Sequence, residues 1–461
     1  MIKIRLALPL MLFLVATSNA LTVNIPQPIK PFTSIVIKRV ADAATVYSLN
    51  GDEPRLIASN VKLFTTAFAL SQLKPDFRWQ TRLYYSGSIK NHSLNGNLYV
   101  VGGGDPTLDS NDMYGLLAVL KDYGITKITG NVVLDGSIFN QIPKYSFLKT
   151  DPYDSDTILP SGLMINHQTT HINLTIANQI SHINSDLYGF KLSNKLQVDS
   201  KKQACDGLYD KIHINKKDDI IELSGIVPAS CNNKMLSYRL LSNFAFNRSV
   251  LYKSLADFNI SLAGDVVSGK CDIATVQLIN TYTSASLLEV LNNMNRHSDN
   301  LIAETCLLSV GAFTTTNHNT YSQATQKFIQ FLLQRELISK DSTIENGAGL
   351  SRFEFFTANQ VTRLLLTTYH SNYQPYFMAT LPVPGQDGSL KDQFKNFSNN
   401  LYAKTGTLND TVALAGYFRN RFGVIFAFSI AFNQLDSYSN KRGLAIDDII
   451  EGIFKQLNSL H

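Results

Sequence analysis

Ser59 and Lys62 stand three positions apart at the head of an apolar run, Leu56-Ile57-Ala58-Ser59-Asn60-Val61-Lys62-Leu63-Phe64. On a helix, positions i and i+3 share a face, which sets the hydroxyl beside the amine. A serine hydroxyl is a weak nucleophile until a neighbouring base takes its proton. A lysine can be that base only while neutral, a state favoured by burial or a nearby cation. Two more clusters follow in order, Ser298-Asp299-Asn300 and Lys404-Thr405-Gly406-Thr407. Together they suit acyl transfer. Ser59 attacks a carbonyl carbon, Lys62 is the base, Ser298 relays a proton toward the leaving nitrogen, and Asn300 holds Lys62 and the substrate amide. Lys404 is expected to carry fixed positive charge and so to keep Lys62 neutral. Thr405 and Thr407 are expected to bind a carboxylate, and Gly406 to let the strand backbone approach closely. The backbone N–H groups of Ser59 and Thr407 would form the oxyanion hole.

Each cluster needs its own element. Ser59 requires a helix head, where free N–H groups and the positive dipole end face a developing oxyanion. The helix is expected over about Ser59–Leu73, ended by Lys74-Pro75-Asp76 because proline cannot continue the ladder. Ser298 falls between helical patterns at Ser284–Asn295 and Asn300–Val310. Lys404 lies on a strand, Tyr402–Thr405, followed by strands at Val412–Arg419 and Val424–Ala431. Residues 34–39 and 44–49 read as a strand pair. Another Ser-x-x-Lys, Ser146 to Lys149, lies between Pro143 and Pro152 with no helical pattern after it, and is set aside.

Between the first two clusters the texture changes. Thr81–Tyr85, Gly96–Val101 and Asn131–Asp135 read as strands and Met113–Tyr123 as a helix. Gly102-Gly103-Gly104-Asp105-Pro106 lacks the spacing of a phosphate loop. From Thr169 to about Leu241 short alternating segments dominate, and helical texture resumes over Asn243–Ala263 and at Tyr321–Glu336. A last helix is expected over Ala445–Leu457. Its apolar stripe is read as packing on the sheet, with membrane association weak if any. Strands and helices at both ends of the chain fit one α/β domain interrupted by an insertion.

The totals agree. A chain of 461 residues with 44% apolar and 17% charged residues is globular and too long for one core. A formal charge of +5 without a basic run gives no support for nucleic-acid binding. Lys3 and Arg5, the apolar run Leu6–Ala16 and the small residues of Ser18-Asn19-Ala20 have the layout of a secretory signal peptide cleaved after Ala20. Export permits disulfides. Cys205 and Cys231 flank one β-rich segment and are the candidate pair, whereas Cys306 sits in an apolar helical pattern. No spacing suggests a metal site, and no cofactor is implied.

Taken singly the motifs are ordinary, since serine is favoured at helix caps. In this order and context they match the signature of penicillin-binding proteins and serine β-lactamases. The chain resembles, more narrowly, the class C low-molecular-mass penicillin-binding proteins, D-alanyl-D-alanine carboxypeptidases/endopeptidases of the penicillin-binding protein 4 type. The stretches that carry the likeness are 74–78, 97–108, 297–304, 381–390 and 403–408. The resemblance implies a split domain at 21–84 and 264–461, an antiparallel sheet with helices on both faces. It also implies an inserted module at 85–167 and 242–263, and a nested β-rich module at 168–241. Peptidoglycan stem peptides are the implied substrate, cut at D-alanine ends and at D-alanyl-meso-diaminopimelate cross-links, with β-lactams acylating Ser59. A periplasmic location and room for a homodimer follow from the same likeness. An acidic residue before the nested module should face the diaminopimelate end, and both Asp154 and Asp156 lie there. The chain departs from the family at Asn346-Gly347-Ala348-Gly349, where Asp-Gly-Ser-Gly is usual. A weakly catalytic peptidoglycan-binding protein and a β-lactamase or esterase are the alternative readings.

Overall fold

The computed structural model describes residues 21–142, 158–185, 187–201, 203–314, 320–340, 342–435 and 446–460. The expected leader at 1–20 and both Asp154 and Asp156 lie outside the described residues. The central sheet has five strands in the order Leu401–Leu408, Thr411–Arg419, Ile425–Phe432, Thr33–Arg39, Thr45–Leu49. Every neighbouring pair is antiparallel. Thr33–Arg39 pairs with Ile425–Phe432 in continuous register from Thr33↔Phe432 to Arg39↔Phe426. The two ends of the chain therefore build one sheet, and part of the chain between them is looped out from it.

Helices cover both faces. On one side the helix Val61–Leu73 is buried at every position from Val61 to Leu70. A helix buried all round runs through a core rather than along its surface. It is enclosed by the helices Leu287–His297, Asn300–Thr314, Thr320–Gln334 and Ala358–Tyr369, with Phe68 ringed by Phe328 and Phe331. Lys74 ends it in a positive-φ conformation just before Pro75. On the other face the helix Ile446–Leu457 lays Ile450, Ile453, Phe454 and Leu457 against the sheet. Phe454 stacks on Phe418 at 5.0 Å. Its apolar stripe is thus covered by the sheet. No helix among the described residues is long and apolar enough to cross a membrane.

The looped-out chain forms separate layers. One mixed sheet joins Val266–Ser268, Val132–Asp135, Leu98–Val101, Gln80–Tyr85 and Gln277–Thr283. It includes strands on both sides of the 84/85 and 263/264 boundaries, so this layer reaches further toward the catalytic side than those positions. The segment 170–238 forms two three-stranded sheets. The helix read through to Ala263 stops at Asp257: Asn259 takes φ 55°, and Ser261–Leu262 pairs with Lys127–Ile128. The helix Ala358–Tyr369 carries a capping box, Thr357 with Gln360, a start signal present in the sequence but not used above.

Cys205 and Cys231 are joined, while Cys271 and Cys306 are buried free thiols. The bridge closes a 26-residue separation, and its reduction should cost roughly 3 kcal/mol through the entropy of the unfolded chain. Denaturant unfolding with and without reductant measures this. A thiol titration of the denatured, unreduced protein should find two thiols, and finding four would remove the bridge.

Candidate active site

The nucleophile turn is strained and tightly packed. Ala58, Ser59 and Asn60 form a 3₁₀ turn leading directly into the helix Val61–Leu73. Ala58 holds φ 49°, a left-handed conformation that costs an L residue roughly 1–2 kcal/mol. Two glycines let other chain segments close on it. A Cβ on Gly349 would stand 2.0 Å from Ala58 O. One on Gly406 would stand 2.5 Å from Ile57 O and 3.3 Å from Ser59 N. The Leu401–Leu408 strand is an edge of the sheet, so this close approach brings an unpaired backbone edge beside Ser59.

Lys62 lies wholly out of solvent, and its Nζ has three partners. They are Ser59 Oγ at 2.9 Å, Asn300 Oδ1 at 2.7 Å and Ala348 O at 2.8 Å. Burial lowers the Lys62 pKa to about 7, against the opposing pull of the Asp299 and Glu304 carboxylates. A neutral amine has two N–H groups and one lone pair. The Asn300 and Ala348 oxygens can only accept, so they take the two N–H groups. The lone pair is then left facing the Ser59 hydroxyl, as a general base requires.

Ser298 ends the helix Leu287–His297 in a left-handed conformation at φ 59°. Asp299 Oδ1 then accepts from Ile302 N at 2.8 Å and caps the next helix, whose first residue is Asn300. Lys404 Nζ donates to Ser298 Oγ and to Thr405 O, each at 2.8 Å. The structure therefore brings Ser59, Lys62 and Asn300 into one hydrogen-bonded group and Ser298 and Lys404 into a second. Thr405 and Thr407, two apart on the strand, share one side of it.

Lys404 lies in the same enclosure. It is as buried as Lys62, and burial followed by the charge of Lys62 drives its pKa well below the ordinary lysine value. Burial is the largest cause of the lowered Lys62 pKa.

Three contributors carried no role in the sequence reading. Ala348 offers only its carbonyl, from a loop that Asn346 shapes: Asn346 Oδ1 accepts from Ala348 N at 2.8 Å and Gly349 N at 2.9 Å. A carboxylate there would accept the same two bonds, so the asparagine preserves the turn. Glu304 accepts from Gly347 N at 2.9 Å, and Thr65 donates to Gly347 O at 2.7 Å. Ser389 Oγ accepts from Thr405 Oγ1 at 2.7 Å. Ser389 lies in the 381–390 stretch that helped carry the resemblance, and that was its only signal.

The chain resembles known proteins along most of its length. The chain is 27% identical over 404 residues to the D-alanyl-D-alanine carboxypeptidase DacB of Haemophilus influenzae, covering 85% of this chain and 83% of that one. It is 26% identical over 440 residues to the D-alanyl-D-alanine carboxypeptidase of Actinomadura sp. strain R39, covering 91% and 80%. The crystal structure of penicillin binding protein 4 from Haemophilus influenzae superposes with a TM-score of 0.78 at 24% identity, over 93% of this chain and 96% of that one. The same protein complexed with a β-lactam gives 0.74, again at 24% identity, over 93% and 95%. The D-Ala-D-Ala carboxypeptidase 3 (S13) family matches residues 18–456, and the chain belongs to that family of serine peptidases.

Proposed function

We propose that this serine-type D-alanyl-D-alanine carboxypeptidase acts on peptidoglycan stem peptides through an acyl-enzyme on Ser59. The observation that carries the reading is the fully buried Lys62 amine, hydrogen-bonded to Ser59 and held by two oxygens that only accept. Lys62 takes the Ser59 proton as Oγ attacks the carbonyl carbon of the penultimate D-alanine. The oxyanion is received by the N–H groups of Ser59 and Thr407. The proton passes through Ser298 to the leaving nitrogen, the C–N bond breaks, and terminal D-alanine departs. Water then attacks the ester and Lys62 takes its proton; the bond from the acyl carbon to Ser59 Oγ breaks, Lys62 returns the proton to Oγ, and the shortened peptide leaves as its carboxylate. The substrate carboxylate binds at Thr405 and Thr407, and its charge favours protonation of Lys404 beside it.

The same chemistry extends to D-alanyl-meso-diaminopimelate cross-links, with Asp154 or Asp156 receiving the diaminopimelate end. A β-lactam presents its amide carbonyl to the same nucleophile and acylates Ser59. The leader-like layout of residues 1–20 supports export to the periplasm.

Fluorescent penicillin should label the protein covalently, and Ser59→Ala should abolish the label while thermal unfolding is retained. An unlabelled wild type would end the acyl-enzyme reading. Lys62→Ala should slow acylation by about 10²–10⁴-fold, the usual worth of a positioned base. A loss under threefold would move the base elsewhere. Because the base must be neutral, acylation should fall on the acid side with a midpoint near pH 7, where Lys62 becomes protonated. Below that midpoint the rate should drop about tenfold per pH unit. A rate flat down to pH 5 would exclude Lys62 as the base.

A further inference from the structure

The loop that carries Ala348 O to Lys62 is closed at its base by one buried acid, Glu354, which is 2% exposed. Its Oε1 accepts from Asn346 N at 2.6 Å and also from Glu345 N. Those two N–H groups open the turn whose far side presents Ala348 O to Lys62 Nζ at 2.8 Å. Ser351 adds a second tie, its Oγ donating to Glu345 and accepting from Phe353 N at 3.0 Å.

Glu354 can anchor the loop because the chain just after it is fixed. Arg55 and Phe356 exchange two backbone hydrogen bonds, each at 3.0 Å. Phe356 is buried, and its ring lies 4.5 Å from that of Phe64 in the central helix. Arg55 in turn leads into the nucleophile turn at Ala58–Asn60. The acid and the nucleophile are thus held to the same point.

The charged and titratable groups around Glu354 come from several elements. Glu304 faces it from the helix Asn300–Thr314, and Glu345 from its own loop. Tyr321, from the helix Thr320–Gln334, donates to Glu345 O at 3.1 Å. Lys62 meets the loop at Ala348, and Arg352 is paired with Asp410 at 2.6 Å. Burial pushes the Glu354 pKa up to about 8; the two N–H bonds oppose the shift, and the charges of Glu304 and Glu345 add to it. Near pH 7 the side chain is therefore mainly a neutral acid. What the loop takes from it is an acceptor oxygen, which a neutral carboxyl supplies as well as a carboxylate.

We propose that Glu354 is a positioning residue for the peptidase: by holding the N–H groups of Glu345 and Asn346 it sets the loop that keeps Ala348 O on Lys62, and so orients the Lys62 lone pair toward Ser59. The proposal rests on the Ser59–Lys62 reading above. Without Oε1, two backbone N–H groups lose their acceptor and the loop relaxes. The amine then loses one of the two oxygens that fix its hydrogens.

The test is the time course of acylation of the full chain by fluorescent penicillin at pH 7, resolved into a limiting first-order rate and a half-saturating concentration. It compares wild type, Glu354→Gln and Glu354→Leu. Glutamine keeps the acceptor without a titrating proton, and leucine fills the space without an oxygen. Glu354→Leu should lower the limiting rate by about threefold to tenfold, the range of one net hydrogen bond. The half-saturating concentration should stay unchanged, because the step lost is orientation of the base rather than binding. Glu354→Gln should keep the wild-type rate. Glu354→Met, similar in length and also without an oxygen, should match leucine and guards against a folding failure of that variant. Thermal unfolding gives the second readout. A carboxyl whose folded-state pKa is raised loses stability as pH climbs from its unfolded value to its folded one. The Tm of Glu354→Gln relative to wild type should therefore rise from pH 5 to pH 8 and level off above. Wild-type limiting rates in the leucine and methionine variants would overturn the proposal, as would a glutamine variant slowed as much as leucine. A Tm difference flat from pH 5 to pH 8 would also overturn it, by placing Glu354 in water rather than inside the loop. Failure of the Ser59 reading is separate, because the wild type would then not be labelled at all.

Discussion

An amine taken out of water is the constraint around which this protein is built. With its pKa lowered from 10.5 to about 7, Lys62 costs the fold on the order of 4 kcal/mol at pH 7. The sign follows from the depressed value. The full penalty applies below the folded-state pKa, and it disappears as pH rises through the unfolded-state value. That cost is carried by a helix buried along ten consecutive residues, where Phe64 packs on Phe356 and Phe68 on Phe328 and Phe331 of the helix Thr320–Gln334. In return, a group that water would keep charged has its pKa lowered to about 7.

Enclosing that amine takes four separated pieces of chain. The nucleophile turn supplies Ser59, the Ser298–Asn300 turn supplies Asn300, the Asn346–Gly349 loop supplies a carbonyl, and the edge strand supplies Lys404. None is close to the others in sequence except Ser59 and Lys62. Glycines set the distances: Gly349 and Gly406 each stand where a Cβ would collide with the backbone at Ile57 and Ala58. Asn346 shows which feature of its loop matters. Its side-chain oxygen holds two backbone N–H groups, a task that needs an acceptor and no charge. The neutral amide also leaves one fewer carboxylate near Lys62.

The electrostatics of the two lysines are best seen as one system. Both are buried, the charge of Lys62 adds to burial in lowering the Lys404 pKa, and Asp299 and Glu304 pull Lys62 toward protonation.

From the residues alone, the order of the three motifs, the turn at Ser298 and the strand at Lys404 were legible, because each is a local pattern of spacing and flanking residues. The same holds for the central helix, whose end at Lys74-Pro75 is written in the covalent geometry of proline. Ala348 and Ser389 were not legible. Ala348 offers only a backbone carbonyl, which every residue has, so no side-chain pattern marks it. Ser389 meets Thr405 only because the fold brings two separate elements together. The helix at Ala358–Tyr369 did carry a local signal in Thr357 and Gln360, and was missed for want of weighing it. What the sequence determined was which groups could react. The protonation of Lys62 and Lys404 was decided only by tertiary structure, because it depends on how completely distant segments exclude water from two amines.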